Sequence, residues 1–198
     1  IQTGSESIIV EADEYDRSFL HLNPTIACIT SVEADHLDIY ESEDIFLEAF
    51  VQFSKKVSNE LIVAYGLPIS GLTYGIEVAA DYKAFNLKIT EKGYRFDLTT
   101  PNREFKDIFF NQMGIHNVSN ALCALAMADQ AGIDINKSLL ALESFPGVYR
   151  RMNLYRWRDI VIIDDYAHHP SEIDSVFKTI KTFYPKQKNC VVFQPHLF

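Results

Sequence analysis

The sequence predicts an α/β protein. Its sheet should be mostly parallel, flanked by helices and interrupted by an antiparallel β insertion, with a second α/β segment at the C-terminal end. Three observations carry this expectation. Short continuous apolar runs alternate with a stretch of helical period in the first third of the chain. The middle switches to a period of two broken by Gly and turn residues. A Pro-Gly break near residue 146 is then followed by a strand, helix, strand pattern.

Residues 7–12 (SIIVEA) and 25–30 (TIACIT) read as buried strands, the second preceded by Pro24. Residues 43–57 carry apolar side chains at 46, 47, 50, 53 and 57, close to helical spacing. Residues 61–65 form a third buried strand. Residues 71–74, 82–90 and 94–98 alternate, with Glu91-Lys92-Gly93 as a hairpin turn, and predict an antiparallel stretch. Helical spacing returns at Val118, Ala121, Leu122, Leu125 and Ala128 and ends near Gly132. Asp134 is placed to cap a further helix whose apolar side is Leu139, Leu140 and Leu142. The segment 144–148 (SFPGV) marks a boundary between domains 1–148 and 149–198. Strands at 153–157 and 160–163, a helix over 171–184 and a strand at 190–193 complete the second part, the last three as a β-α-β unit.

Composition narrows the function classes. The chain has 198 residues, 47% of them hydrophobic and 23% charged, enough for one large domain or one and part of another. With 18 basic and 27 acidic residues the formal charge is −9, and the densest basic stretches, Arg150-Arg151 and Lys186 to Lys188, are short. Non-specific nucleic-acid binding needs many phosphate contacts, so that class is disfavoured. Cys28, Cys123 and Cys190 stand far apart in apolar stretches with no CxxC pair, which reads as buried reduced thiols rather than zinc. The longest apolar run, 121–128, is too short for a membrane span. The first residues have neither a basic nor an apolar leader region, and both ends read as cut.

Several strings place polar groups at strand ends, where open α/β sheets bind ligands. Glu11, in Val10-Glu11-Ala12-Asp13-Glu14, can hold Mg²⁺ or its water, or belong to a solvated acidic loop. His36, between Asp35 and Asp38, can be a ligand, a proton carrier or a cap. Asn117 and Asn120 share a helix face, where their amides suit an adenine edge or simple capping. Arg151 follows the Pro-Gly break and can reach a phosphate bidentately, or form part of a surface pair with Arg150. The most specific string is Asp164-Asp165-Tyr166-Ala167-His168-His169-Pro170, where a buried strand runs into a helix started by Pro. That helix N-terminus offers backbone donors to an anion. Adjacent histidines on a regular element cannot both face one ion. Gln194-Pro195-His196 follows the last strand in the same manner.

Together these strings resemble the Mur ligase family of ATP-dependent amide-forming enzymes. The resemblance rests on EADEYDRSFLHL (11–22), ITSVEADHLDIY (29–40), GIHNVSNALCALAMA (114–128), FPGVYRR (145–151), DDYAHHPSEI (164–173) and VVFQPHLF (191–198), in family order over nearly the whole chain. It implies a P-loop-type central ATPase domain over 1–148, followed by the start of a Rossmann-like C-terminal domain over 149–198. It further implies ATP and Mg²⁺ as cofactors. Glu11 and His36 are implied as magnesium ligands, and Glu11, His36 and Arg151 as catalytic groups. His116, Asn117, Asn120, Arg151, Asp165, Tyr166 and His168 are the implied nucleotide-facing groups.

The branch most resembled joins L-alanine to UDP-N-acetylmuramate through an acyl phosphate in the bacterial cytoplasm, with no nucleic acid and no membrane insertion. A branch that recycles murein tripeptide and a non-catalytic nucleotide-binding or scaffold domain are the alternatives. Two departures stand out. Val51 and not lysine occupies the position where several members carry a carbamylated lysine, Lys55 and Lys56 lying further on. The chain also contains no GxxGKT-type phosphate loop, so these 198 residues are expected to be inactive alone.

Overall fold

The structure is a computed structural model that describes residues 2–3, 7–32, 40 and 42–195. The chain forms two compact units, 1–73 and 74–198.

In the first unit, β1 (Gln2–Thr3) and β2 (Ile8–Ile9) make a two-residue antiparallel pair. A short 3-10 segment (Tyr15–His21) leads to β3 (Ile26–Ile29), which pairs in parallel with β4 (Glu60–Ala64). The crossover between them is α1 (Glu43–Ser54), capped by Ser42, whose hydroxyl accepts from the Ile45 N–H. A crossover of this length lets β3 and β4 run parallel over their full overlap, and the apolar face of α1 supplies the cover. Phe46, Ala49 and Phe53 bury against Phe19, Ala27, Ile29, Tyr40, Leu61 and Val63. Phe46 meets Tyr40 edge to face, ring centroids 4.7 Å apart, and Phe50 5.0 Å away. Such aromatic packing is worth more than its area alone.

The second unit holds β5 (Leu72–Ile76) from Tyr74 onward, β6 (Tyr82–Ile89), β7 (Tyr94–Thr99) and β8 (Glu104–Phe110). β6, β7 and β8 form an antiparallel meander, and the β6–β7 turn closes with Thr90 N–H donating to the Gly93 carbonyl at 2.9 Å. The helices α2 (Ile115–Gln130) and α3 (Ile135–Glu143) follow, the second capped by Asp134 as expected, at 2.9 Å from the Asn136 N–H. Val118, Ala121, Leu122, Leu125 and Ala126 bury one face of α2, while Phe96 and Leu98 of β7 and Ile135 of α3 are also buried. The hairpin of β9 (Asn153–Trp157) and β10 (Ile160–Asp164) then leads into α4 (Pro170–Phe183).

The mixed sheet is as the sequence predicts, but four local expectations need correction. The strand over 7–12 is only two residues long, and Ile8 and Ile9 stay 68% and 65% exposed. A strand buries both faces only between neighbouring strands and helices, and among the described residues β2 pairs with β1 alone. Residues 190–193 form no strand ladder; Val192 is 96% exposed, and of the cysteines expected to be buried Cys190 is exposed while Cys28 and Cys123 are half-buried. β5 runs parallel, not antiparallel, to β6, through a register of three residue pairs from Tyr74 opposite Tyr82 to Ile76 opposite Ala84. So brief an overlap lets a five-residue connection step back far enough to restart in the same direction. Finally, β8 is a strand that the sequence pattern does not predict. Asp107 at φ 56° interrupts its alternation where the β7–β8 register shifts, which hides the strand period.

Candidate functional site

The junction between β10 and α4 gathers a polar network within the second unit. β10 ends at Asp164 because the next carboxylate turns back on the chain. Asp165 Oδ1 accepts from the Ala167 N–H at 2.8 Å, a local turn that side chains of this type favour. Its Oδ2 accepts from the Met152 N–H, also at 2.8 Å, so the junction is tied to the segment before β9. A second tie is the Tyr166 N–H, which donates to the Arg150 carbonyl at 2.8 Å. The Arg150 guanidinium lies 4.7 Å from the centre of the Tyr166 ring, and its Nε is 3.8 Å from Asp164 Oδ1. His168 stands edge-on to the same ring, 5.6 Å between centroids.

Pro170 opens α4, and the unsatisfied N–H groups ahead of it find Glu172. Glu172 Oε2 accepts from the His168 N–H at 3.1 Å and the His169 N–H at 3.4 Å. Its Oε1 accepts from Arg151 Nη1 at 3.2 Å. Burial pushes the Glu172 carboxyl up, but the His168 N–H, Arg151 and the His169 N–H outweigh it and leave the group below the usual range. The two adjacent histidines diverge, as adjacent positions require. His168 Nδ1 lies 3.2 Å from the Tyr166 carbonyl, and His169 Nδ1 lies 2.8 Å from Ser171 Oγ.

His116 enters from the first turn of α2, its Nδ1 2.9 Å from Ser175 Oγ on α4. Gly114 makes this placement possible. Its φ of +95° suits glycine, and a Cβ there would stand 2.5 Å from the His116 ring. Burial lowers the His116 pKa; Asp165 and Glu172 pull it up and Arg151 pushes it further down. Beside the junction lies a cavity of about 560 Å³, with Arg150, Asp164, Tyr166 and His168 among the polar groups and Ile173 and Phe177 on the apolar wall.

The structure therefore brings together His116, Arg151, Asp165, Tyr166 and His168. Asn117 follows His116 on α2, and its amide nitrogen donates to the Met113 carbonyl at 2.7 Å; it does not cap the helix, whose N-cap is Gly114. Asn120 lies one turn further along and is exposed. Glu11 belongs to the first unit, exposed in the loop after β2; in that loop the Asp13 carboxylate accepts from the Tyr15 N–H, and the Glu14 carbonyl accepts from the distant Tyr40 hydroxyl at 2.5 Å. His36 and His196 lie outside the described residues. Among the described residues no group of three His, Cys, Asp or Glu could hold a metal ion, and no helix is long and apolar enough to cross a membrane.

Sequence reasoning misses Glu172 and Gln112. The signal for Glu172 is the carboxylate three residues after the N-cap His169, a capping-box position. Gln112 has no such signal: its Nε2 donates to the Phe145 carbonyl at 3.1 Å, across 33 residues of sequence.

Comparison with known families decides the lineage. Residues 2–128 match the Mur ligase middle domain and residues 150–196 the Mur ligase, glutamate ligase domain. The chain belongs to the Mur ligase family. It is 47% identical over 201 aligned residues to a UDP-N-acetylmuramate–L-alanine ligase of Christiangramia forsetii, covering 100% of this chain and 44% of that protein. A ligase of the same name from Flavobacterium johnsoniae is 45% identical over 100% of this chain and 45% of its own length. Among solved structures, the UDP-N-acetylmuramate-alanine ligase from Thermotoga maritima superposes with a TM-score of 0.79 at 28% identity, over 90% of this chain and 43% of that one. The chain thus spans less than half the length of these Mur ligases.

Proposed function

We propose that this chain is part of an ATP-dependent ligase that joins L-alanine to UDP-N-acetylmuramate in peptidoglycan precursor synthesis. The observation that carries the reading is the match over 100% of the chain, at 45% and 47% identity, to relatives of that name. We assign residues 1–148 to the central ATPase domain and 149–198 to the start of the C-terminal domain. Family matches that stop at 128 and resume at 150 support this division, as does the break at Gly147, whose φ is +86°.

In this reading a carboxylate oxygen of the muramoyl group attacks the γ-phosphorus of ATP and ADP leaves. The amine nitrogen of alanine then attacks the acyl carbon, inorganic phosphate leaves, and the nitrogen loses its proton. Arg151, with five N–H donors in a planar fork, offsets negative charge on the phosphates. Asp165 holds the DDYAHHP segment in place through Met152 and Ala167, so that Tyr166 and His168 face the nucleotide. Asn117 and Asn120 address the adenine edge, and His116 lies beside them.

Mg²⁺ would be held by Glu11 and His36. The exposed carboxylate of Glu11 suits a hard cation that prefers oxygen. When bound, the ion supplies Lewis-acid stabilisation of phosphoryl charge. The test is phosphate release by the full-length protein with ATP, Mg²⁺, UDP-N-acetylmuramate and either L-alanine or murein tripeptide. Turnover with L-alanine is expected; turnover with tripeptide alone, or none with either, would overturn the assignment.

A further inference from the structure

We propose that Glu172 is a positioning residue that aims Arg151 at the nucleotide phosphates; the inference rests on the ligase reading above. The carboxylate is itself held in place. Oε2 is fixed by two backbone donors, the N–H groups of His168 and His169, at 3.1 and 3.4 Å. Rotating the carboxylate would leave both N–H groups at the start of α4 without it. Oε1 therefore presents a fixed acceptor, and Arg151 Nη1 sits 3.2 Å from it.

Arg151 is constrained from its other end as well. Its own N–H donates to the Val148 carbonyl at 3.1 Å, and the next residue, Met152, is tied to Asp165. A long side chain on a connector loses rotamer freedom when it binds an anion. Here much of that freedom is already removed by a carboxylate whose own orientation the backbone fixes. Glu172 takes a bond from one nitrogen of the fork, and the guanidinium carries five N–H donors, so a phosphate can be bound without releasing Glu172.

Stability does not account for this arrangement. The Arg151 and Glu172 side chains are 48% and 34% exposed, and ion pairs this open contribute little to folding. A cap alone would need only the two backbone donors. The guanidinium contact goes beyond capping, and it links a connector residue to the helix that carries the DDYAHHP segment. Ser175, three residues along α4, does the same for His116 at 2.9 Å. One face of the first turns of α4 thus orients two nucleotide-facing groups.

The test uses steady-state kinetics of the full-length ligase, with Glu172→Gln, Arg151→Ala and the double variant. Gln keeps an acceptor for the backbone N–H groups but loses the charge that holds the guanidinium. Glu172→Gln should raise KM for ATP by roughly 3- to 10-fold, about the range of one charge-assisted contact, with KM for L-alanine unchanged. In the Arg151→Ala background it should add nothing, because no arginine is left to position. An unchanged KM for ATP, or effects that multiply in the double variant, would overturn the proposal.

If Glu172→Gln lowers the melting temperature, Glu172→Asp carries the test. It keeps the charge one methylene short, and its smaller rise in KM must also vanish without Arg151. A rise that persists there assigns Glu172 to capping alone and overturns the proposal. Absence of any turnover in the unmutated full-length protein fails the ligase reading instead, so the two failures are distinguishable.

Discussion

Two acidic strand ends in this chain look alike in sequence and differ in structure. The first is the segment after β2, Val10-Glu11-Ala12-Asp13-Glu14; the second is the segment after β10, Asp164 to His169. Glu11 is exposed and follows a strand of two residues whose apolar side chains are themselves exposed. Asp165 is half-buried and accepts two backbone N–H groups at 2.8 Å, one of them from Met152, which is 5% exposed. A carboxylate is thus open for an external ligand in one place and committed to holding the chain in the other. A carboxylate read from sequence as a binding group can serve binding by contact or by architecture, and burial decides which.

The largest expected effect tests the open end. In the full-length protein, Glu11→Ala should lower the rate of phosphate release by about 100- to 1,000-fold, the scale of losing one preorganised electrostatic contact to a transition state. The melting temperature of the 198-residue chain should not change, because the side chain is exposed. A clear loss of melting temperature would show that the end is structural like its counterpart.

The next effect tests the committed end. Asp165→Ala leaves the Met152 and Ala167 N–H groups without their acceptor. Unsatisfied donors away from water cost about 1–3 kcal/mol in total for a site of this kind. Urea unfolding should show that loss in the midpoint with an unchanged slope. A variant as stable as the parent would place Asp165 with Glu11 as a contact group only.

The same contrast explains which parts are legible in the sequence. Elements whose period is set by one buried face are found within a few residues. α1, α2 and α4 are examples, because a helix that packs on a sheet must repeat its apolar side chains. β3 and β4 are found because residues 27–29 and 61–63 are continuous apolar runs. What escapes depends on partners distant in sequence. Residues 8–9 and 190–193 have strand composition, but a ladder needs a neighbour at the right register, and composition does not reveal that. β8 escapes because Asp107 breaks its alternation, and the direction of β5 because direction is a property of the connection.

Within the site, His116, Arg151, Asp165, Tyr166 and His168 are legible as polar groups clustered at a strand-to-helix junction or at a helix start. Their mutual geometry is not. Glu172 is hidden because its carboxylate reads as an ordinary first-turn acid, whose dipole and capping roles need no further function. The 3.2 Å contact to Arg151, with His168 Nδ1 3.7 Å from its other oxygen, is what gives it a second role.

The smallest expected effect concerns pH and tests the groups packed around the committed end. His116 is half-buried and its pKa is lowered from 6.5, chiefly by burial. Burial pushes Glu172 up, but its hydrogen bonds outweigh that and hold it below 4.5. Above pH 6.5 His116 is neutral in both folded and unfolded chains and adds nothing to the slope. As the pH falls through 6.5 the unfolded chain takes up a proton that the folded chain refuses, so acid favours unfolding from that point downward. Glu172 adds a second loss only as the pH falls through 4.5, where the unfolded carboxylate protonates first. His116→Gln should therefore flatten the decline in stability just below pH 6.5 and leave the steeper decline below 4.5 intact. Urea midpoints measured from about pH 7.5 to about pH 4 check this. A His116→Gln profile that overlays the parent would mean that the imidazole is solvated in solution, and that its contact to Ser175 does not bury it.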